Sequence, residues 1–233
     1  MSTMVTECLR DMEHPRVRRA LEVYRRSFPY SEQREPAAQE RMMRDEAYRF
    51  GLLRAQGRDV GALLWWEHAD FLYLEHFFVY PEERNRGWGT AAMQCLQALG
   101  KPIVLEIEPP QDDISRRRRA FYERCGFCTT AHAHLQPPYH AGQAELPLVV
   151  MSYPHAIDAA EYAAFNRFLR GYVESPELPG EHRRRGYREN ESTDYRPRRP
   201  REKRSGYREE RYAGRREREE HPFSRFERRR RYR

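Results

Sequence analysis

Apolar positions fall at helical spacing over residues 16–28, where Val17, Ala20, Leu21, Val23 and Tyr24 share a face and Phe28-Pro29 stops the run. Pro36 opens a second, shorter helix. The period then changes. Residues 50–55, 59–67 and 71–80 read as strands separated by turns at Gln56-Gly57-Arg58 and His68-Ala69-Asp70, an antiparallel meander. The third strand is apolar on both sides: strict alternation puts Tyr73, Phe77 and Val79 on one face and Leu72, Leu74 and Phe78 on the other, as in a central, covered strand. Glu75 and His76 interrupt it.

Beyond Pro81 the spacing is helical again, with Trp88, Ala92, Leu96 and Leu99 stacked and Gly100 at the end. Ile103-Val104-Leu105-Glu106-Ile107 follows as a short strand, so strand, helix and strand predict one parallel crossover in an otherwise antiparallel sheet. Asp112 or Asp113 caps a helix that runs through the arginines 116–119 to about Cys125. Strands near 127–132 and 146–152 and an amphipathic helix over 157–173 complete the pattern. The expected fold class is α/β (α+β), a mixed, mostly antiparallel central sheet flanked by helices.

Charge divides the chain. Of the net +7 on 233 residues, residues 173–233 hold 21 Lys and Arg against 13 Asp and Glu, so a tail of +8 follows a body of −1. Val173, Leu178, Ala213, Phe223, Phe226 and five tyrosines are all the apolar material in that tail, too little to offset the entropy of ordering. The expectation is a domain over 1–172 and a disordered Arg/Glu/Tyr-rich basic tail over 173–233. No stretch approaches the roughly 20 apolar residues of a membrane span, residues 1–10 lack the apolar core of a secretory signal, and four cysteines make no disulfide framework. A cytoplasmic protein with reduced thiols is expected.

One segment carries chemistry. Arg84-Asn85-Arg86-Gly87-Trp88-Gly89-Thr90 lies at a strand-to-helix transition, where unpaired amides and the positive end of a helix dipole attract anions and glycine permits close approach of a phosphate. By itself this pattern fits a plain turn as well as a pyrophosphate cradle. Its neighbours change that. Leu74-Glu75-His76-Phe77-Phe78-Val79-Tyr80-Pro81 precedes it and Ala120-Phe121-Tyr122-Glu123-Arg124-Cys125-Gly126-Phe127 follows about 30 residues later. In order and spacing, over residues 16–153, the three segments resemble the GNAT superfamily of acyl-CoA-dependent N-acyltransferases, in the form of a small, bacterial-type, single-domain member with an added Arg-rich tail.

The resemblance implies an N-acetyltransferase that moves an acetyl group from acetyl-CoA to a primary amine by direct attack in a ternary complex. It implies that the loop amides of Arg84, Arg86, Gly87, Gly89 and Thr90, together with Trp88, hold the pyrophosphate of coenzyme A, and that the backbone at Phe78 and Val79 pairs with its pantetheine arm. Tyr122 is the matching position for the proton donor to the leaving thiolate, and the Val79 amide is a candidate for the oxyanion. Glu75, expected on the face of Val79 and buried among Tyr73, Phe77 and Val79, would have its pKa raised and is the candidate general base. The chain departs from the family at Glu108-Pro109-Pro110, where many members carry Asn.

Other signals are weaker. Cys125-Gly126-Phe127-Cys128 has redox spacing but sits at a helix C-terminus, where nothing lowers a thiol pKa. His132, His134 and His140 lack a firm fourth ligand, so no metal is expected. Tyr139, in the stiff segment 134–140, is a candidate substrate-binding residue. Arginines 116–119 read as a solvated helix face. The tail repeats Gly-Tyr-Arg-Glu at 186–189 and 206–209, and arginine interleaved with tyrosine suits RNA or another polyanion through residues 183–233. An alternative is therefore a coenzyme A-binding, non-catalytic fold whose tail engages such a polyanion. Aminoglycoside, polyamine, amino acid and protein amines all stay open as acceptors, and so does monomer or homodimer.

Overall fold

The structure is a computed structural model that describes residues 4–140 and 142–173. The expected tail, with its RNA or polyanion contact, lies outside the described residues from 174 onward. Along the chain come β1 (Val5–Cys8), α1 (Pro15–Ser27), α2 (Pro36–Met43), β2 (Tyr48–Ala55), β3 (Arg58–Glu67), β4 (Leu72–Val79), α3 (Trp88–Gln97) and β5 (Ile103–Ile107). Then follow α4 (Asp113–Arg124), β6 (Cys128–Thr129), β7 (His134–Gln136), β8 (Leu146–Tyr153) and α5 (Ala159–Phe168), which runs on into a π-helical turn, Leu169–Val173. The sheet order is β1-β2-β3-β4-β5-β8-β6, with β7 also paired to β8. Only β4 and β5 run parallel, joined by the expected crossover through α3.

Both faces of the sheet are covered, which is why its central strands are apolar at consecutive positions. Phe50, Leu52, Ala62, Leu64 and Trp66 enter a core with Val17, Leu21 and Tyr24 of α1 and Phe165 of α5. Leu53, Leu63, Trp65, Leu72, Leu74 and Leu105 enter a second core with Ala92, Met93 and Leu96 of α3 and Tyr122 of α4. Leu52 and Leu64 are fully buried, each worth about 1.5–3 kcal/mol of transfer free energy. Asp112 caps α4 by a capping box with Ser115, resolving the choice between the two aspartates.

Four elements depart from the pattern-based expectation. β1 is too short to announce itself. Leu99 lies past the end of α3 and is 51% exposed, because Ala98 already leaves the helix. The first late strand divides into β6 and β7, both pairing with β8. The fourth departure matters most: Leu64 pairs with His76 and Trp65 with Leu74, so Glu75 is the extra residue of a β-bulge. The bulge exchanges the faces of the second half of β4. Tyr73 and Phe78 share the α1 side, while Phe77 joins Leu72 and Leu74.

Candidate active site

The bulge opens a wedge in the sheet. β4 and β5 pair only from Leu72–Ile103 to Leu74–Leu105, after which β4 stays with β3 as far as Val79 and β5 stays with β8 as far as Ile107. The Tyr80 amide donates to Val60 O at 2.9 Å, which fixes the ladder alternation. Phe78 therefore spends its amide and carbonyl on β3, while those of Phe77 and Val79 face the gap. The expected Phe78 and Val79 pair is corrected to Phe77 and Val79. Unpaired strand groups in such a gap are an incomplete ladder that the amides of an extended ligand can complete. Gly61 on β3 permits the close approach of β4, since a Cβ there would stand 2.3 Å from Phe78 O.

At the mouth of the gap lies the glycine loop. Gly87 caps α3 in the left-handed conformation, φ 80°, and the first helical bond is Ala91 N–H to Gly87 O. The amides of residues 86–90 thus make no backbone hydrogen bond among the described residues, the arrangement a diphosphate requires. The side chains of Arg86 and Trp88 are occupied elsewhere: both reach buried Glu83, Arg86 at 3.4 Å and Trp88 Nε1 at 3.3 Å, and Arg58 joins them at 3.1 Å. Arg84 turns back toward Val79 O at 3.4 Å. Gly89 makes room for Phe121, whose ring would lie 3.1 Å from an added Cβ. What the loop offers a ligand is backbone.

A cavity of about 290 Å³ runs from Val79, Arg84 and Tyr122 to Glu32, Glu108 and Tyr139. Tyr122 is 8% exposed and edge-on to Phe121 and Phe127, which lock its ring. Burial raises the hydroxyl pKa well above its ordinary value, Arg118 opposing, so it is held as a proton donor. At the far end Glu75 meets Arg34 at 2.5 Å, Trp66 Nε1 at 3.1 Å and the Tyr139 hydroxyl at 2.9 Å. Burial opposes the charge on Glu75, but the Arg34 guanidinium and these hydrogen bonds outweigh it and hold the carboxyl below its ordinary value. The expected rise in pKa is reversed, because the bulge turned Glu75 away from Val79 and onto Arg34.

The sequence profile of the "Acetyltransferase (GNAT) family" matches residues 17–127. A solved structure of a provisionally named GNAT-family acetyltransferase from Bacteroides thetaiotaomicron superposes with a TM-score of 0.69 at 28% identity, covering 74% of this chain and 99% of that one. Residues 17–127 form an acetyltransferase (GNAT) family domain. YjbC of Bacillus subtilis, a provisionally named acetyltransferase, is 26% identical over 102 residues, 43% of this chain and 52% of the relative. The chain thus spans about half the length of that curated relative.

Around this GNAT domain's cavity the structure gathers Tyr122, Val79, Arg84, Glu75 and Tyr139, and Gly89 of the glycine loop packs against Phe121 and Phe77 of its lining. Tyr139 lies over the Arg34 guanidinium, 5.0 Å from its ring centroid. His76, expected opposite Glu75, shares its side of the sheet, with Nδ1 4.0 Å from Glu75. Burial lowers the His76 pKa and keeps the ring neutral at pH 7. Several residues were not anticipated. Arg34 comes from the connection between α1 and α2; Arg118, one of the four arginines, pairs with Glu108 in the cavity wall while staying partly exposed. Glu106 receives the Tyr73 hydroxyl at 2.6 Å and Gln136 at 3.2 Å and is paired with His134. Among the described residues no helix is long and apolar enough to cross a membrane.

Proposed function

We propose that this chain is an acetyl-CoA-dependent N-acetyltransferase acting on a primary amine. The observation that carries the reading is the splayed β4–β5 gap, with free amides at its mouth and the Tyr122 hydroxyl in its wall. The amides of residues 86–90 would hold the pyrophosphate, Phe77 and Val79 the pantetheine amides, and the bound thioester supplies the electrophilic carbonyl. The Val79 amide would donate to the carbonyl oxygen as it gains charge. Tyr122 delivers its proton to the departing sulphur. Glu75 fixes Arg34 and Tyr139 and so shapes the acceptor end; a carboxylate held below its ordinary pKa by an ion pair has little proton affinity to offer an amine.

Calorimetric titration of the full chain with acetyl-CoA tests the first half of this reading, and a thiol-release assay across a panel of primary amines tests the second. Binding in the micromolar range with amine-dependent thiol release is expected. Absence of binding at millimolar acetyl-CoA refutes it.

A further inference from the structure

Four carboxylates border the cavity, and three are engaged: Glu75 by Arg34 and Tyr139, Glu106 by Tyr73, Gln136 and His134, and Glu108 by Arg118. Glu32 is different. It ends the single 3-10 turn Tyr30–Glu32 between α1 and α2, half-buried, and its carboxylate makes no hydrogen bond or ion pair among the described residues. Its backbone, by contrast, is pinned. The Glu32 carbonyl receives His76 Nε2 at 2.9 Å and the Tyr24 hydroxyl at 3.4 Å, and the Glu32 amide donates to Pro29 O at 2.9 Å. A carbonyl only accepts, so Nε2 of His76 carries the hydrogen and the ring serves as a peg. The flanking residues are equally fixed, Gln33 by Phe28 O at 2.6 Å and Arg34 by Glu75.

We propose that Glu32 receives the acceptor's ammonium group in this cavity and takes a proton from it. The inference rests on the transferase reading above. A held backbone with a free, cavity-facing carboxylate is what a proton acceptor needs: a defined position and unspent acceptor capacity. The charged and titratable groups around it are Glu75 and His76 from β4, Glu106 from β5, Glu108 just beyond it, Arg118 and Tyr122 from α4, Arg84 from the loop before α3, and Tyr139 from the β7–β8 connection. Burial, then the neighbouring Glu108, raises the pKa of Glu32, with Arg118 opposing. The acceptor class that follows is an amine that arrives as a cation, an aliphatic primary ammonium.

The proton balance closes. One N–H proton of the ammonium passes to Glu32 and on to solvent, leaving a lone pair that forms the new C–N bond as the C–S bond breaks. The second proton, acidic once the nitrogen has bonded to carbon, replaces the one Tyr122 gives to sulphur. The products are an amide and a thiol.

The test compares wild type, Glu32→Gln and Glu32→Asp in kcat/KM against pH with an aliphatic amine, together with acetyl-CoA affinity. Glu32→Gln is expected to lower kcat/KM about 100-fold at pH 7, a typical general-base effect. Acetyl-CoA affinity should stay within twofold, and activity should recover as pH rises toward the amine's own pKa. Glu32→Asp, shorter by one methylene, should fall between the two. Turnover within threefold of wild type at pH 7, with the acidic limb of the profile unchanged in Glu32→Gln, overturns the role of Glu32 and leaves the transferase reading intact. Failure of the wild type to bind acetyl-CoA overturns both.

Discussion

The two ends of the cavity are built by opposite means. At the proposed coenzyme end the groups on offer are backbone: the amides of residues 86–90 and those of Phe77 and Val79, exposed by a helix start and a splayed strand. The Arg86 and Trp88 side chains brace the loop through Glu83. At the proposed acceptor end the groups on offer are side chains contributed by the α1–α2 connection, β4, β5, α4 and the β7–β8 connection. A backbone site is robust to most substitutions and vulnerable at glycine. A side-chain site is vulnerable wherever one charge balances another.

The largest effect should appear where that balance is buried. Arg34 and Glu75 side chains are 5% and 0% exposed, so Arg34→Ala leaves a carboxylate in the core without its counterion. A loss of about 3–5 kcal/mol in urea unfolding is expected. The double variant Arg34→Met, Glu75→Leu should recover most of it, since it removes both charges. If Arg34→Ala loses less than 1 kcal/mol, the acceptor end does not depend on this pair.

At the other end, Tyr122→Phe removes a hydroxyl while keeping the ring that packs on Phe121 and Phe127. A fall in kcat of about 100–1000-fold is expected, with stability and acetyl-CoA affinity little changed. Unchanged turnover would remove Tyr122 from the chemistry. Gly89→Ala probes the same end more gently, because the new methyl would stand 3.1 Å from the Phe121 ring. Overpacking of this size costs about 1–3 kcal/mol in a rigid site, which predicts acetyl-CoA affinity weakened at least about fivefold by calorimetry. Wild-type affinity would mean that Phe121 yields freely.

Legibility in the sequence follows the same division. The residues proposed for the coenzyme end stand out because they are contiguous: Arg84, Gly87, Gly89 and Thr90 lie in one short loop-to-helix segment, and Tyr122 lies in a short segment ending at Gly126-Phe127. The helices and the parallel crossover were readable from periodicity. The acceptor end was not, because Glu32 and Arg34 lie some forty residues before the strand they serve, in a stretch whose polarity suggests only a surface turn. The bulge was equally hidden, since strict alternation assumes an unbroken period of two. One trace of it exists in retrospect: two consecutive polar residues, Glu75 and His76, inside an apolar strand. Alternation would send one to each core, whereas a bulge sends both to the same side.

The smallest effect sharpens the contrast between two carboxylates, because Glu75 and Glu32 depart from the ordinary value of 4.5 in opposite directions. Glu75 is lowered on folding, so its stabilising contribution is complete above pH 4.5 and is lost as pH falls through the folded value. Glu32 is raised, so its contribution is present below pH 4.5 and is lost as pH rises through the folded value. At pH 7 the ionised Glu32 therefore opposes folding. Glu75→Gln should lower the urea midpoint at pH 7, and Glu32→Gln should raise it slightly even as it slows catalysis. Both differences should shrink toward zero as pH falls below 4.5, where the wild-type carboxyls become neutral like their amide replacements. A Glu32→Gln variant less stable than wild type at pH 7 would mean that the carboxylate is satisfied by a partner in solution, and its standing as the unspent acceptor of the cavity would go with that result.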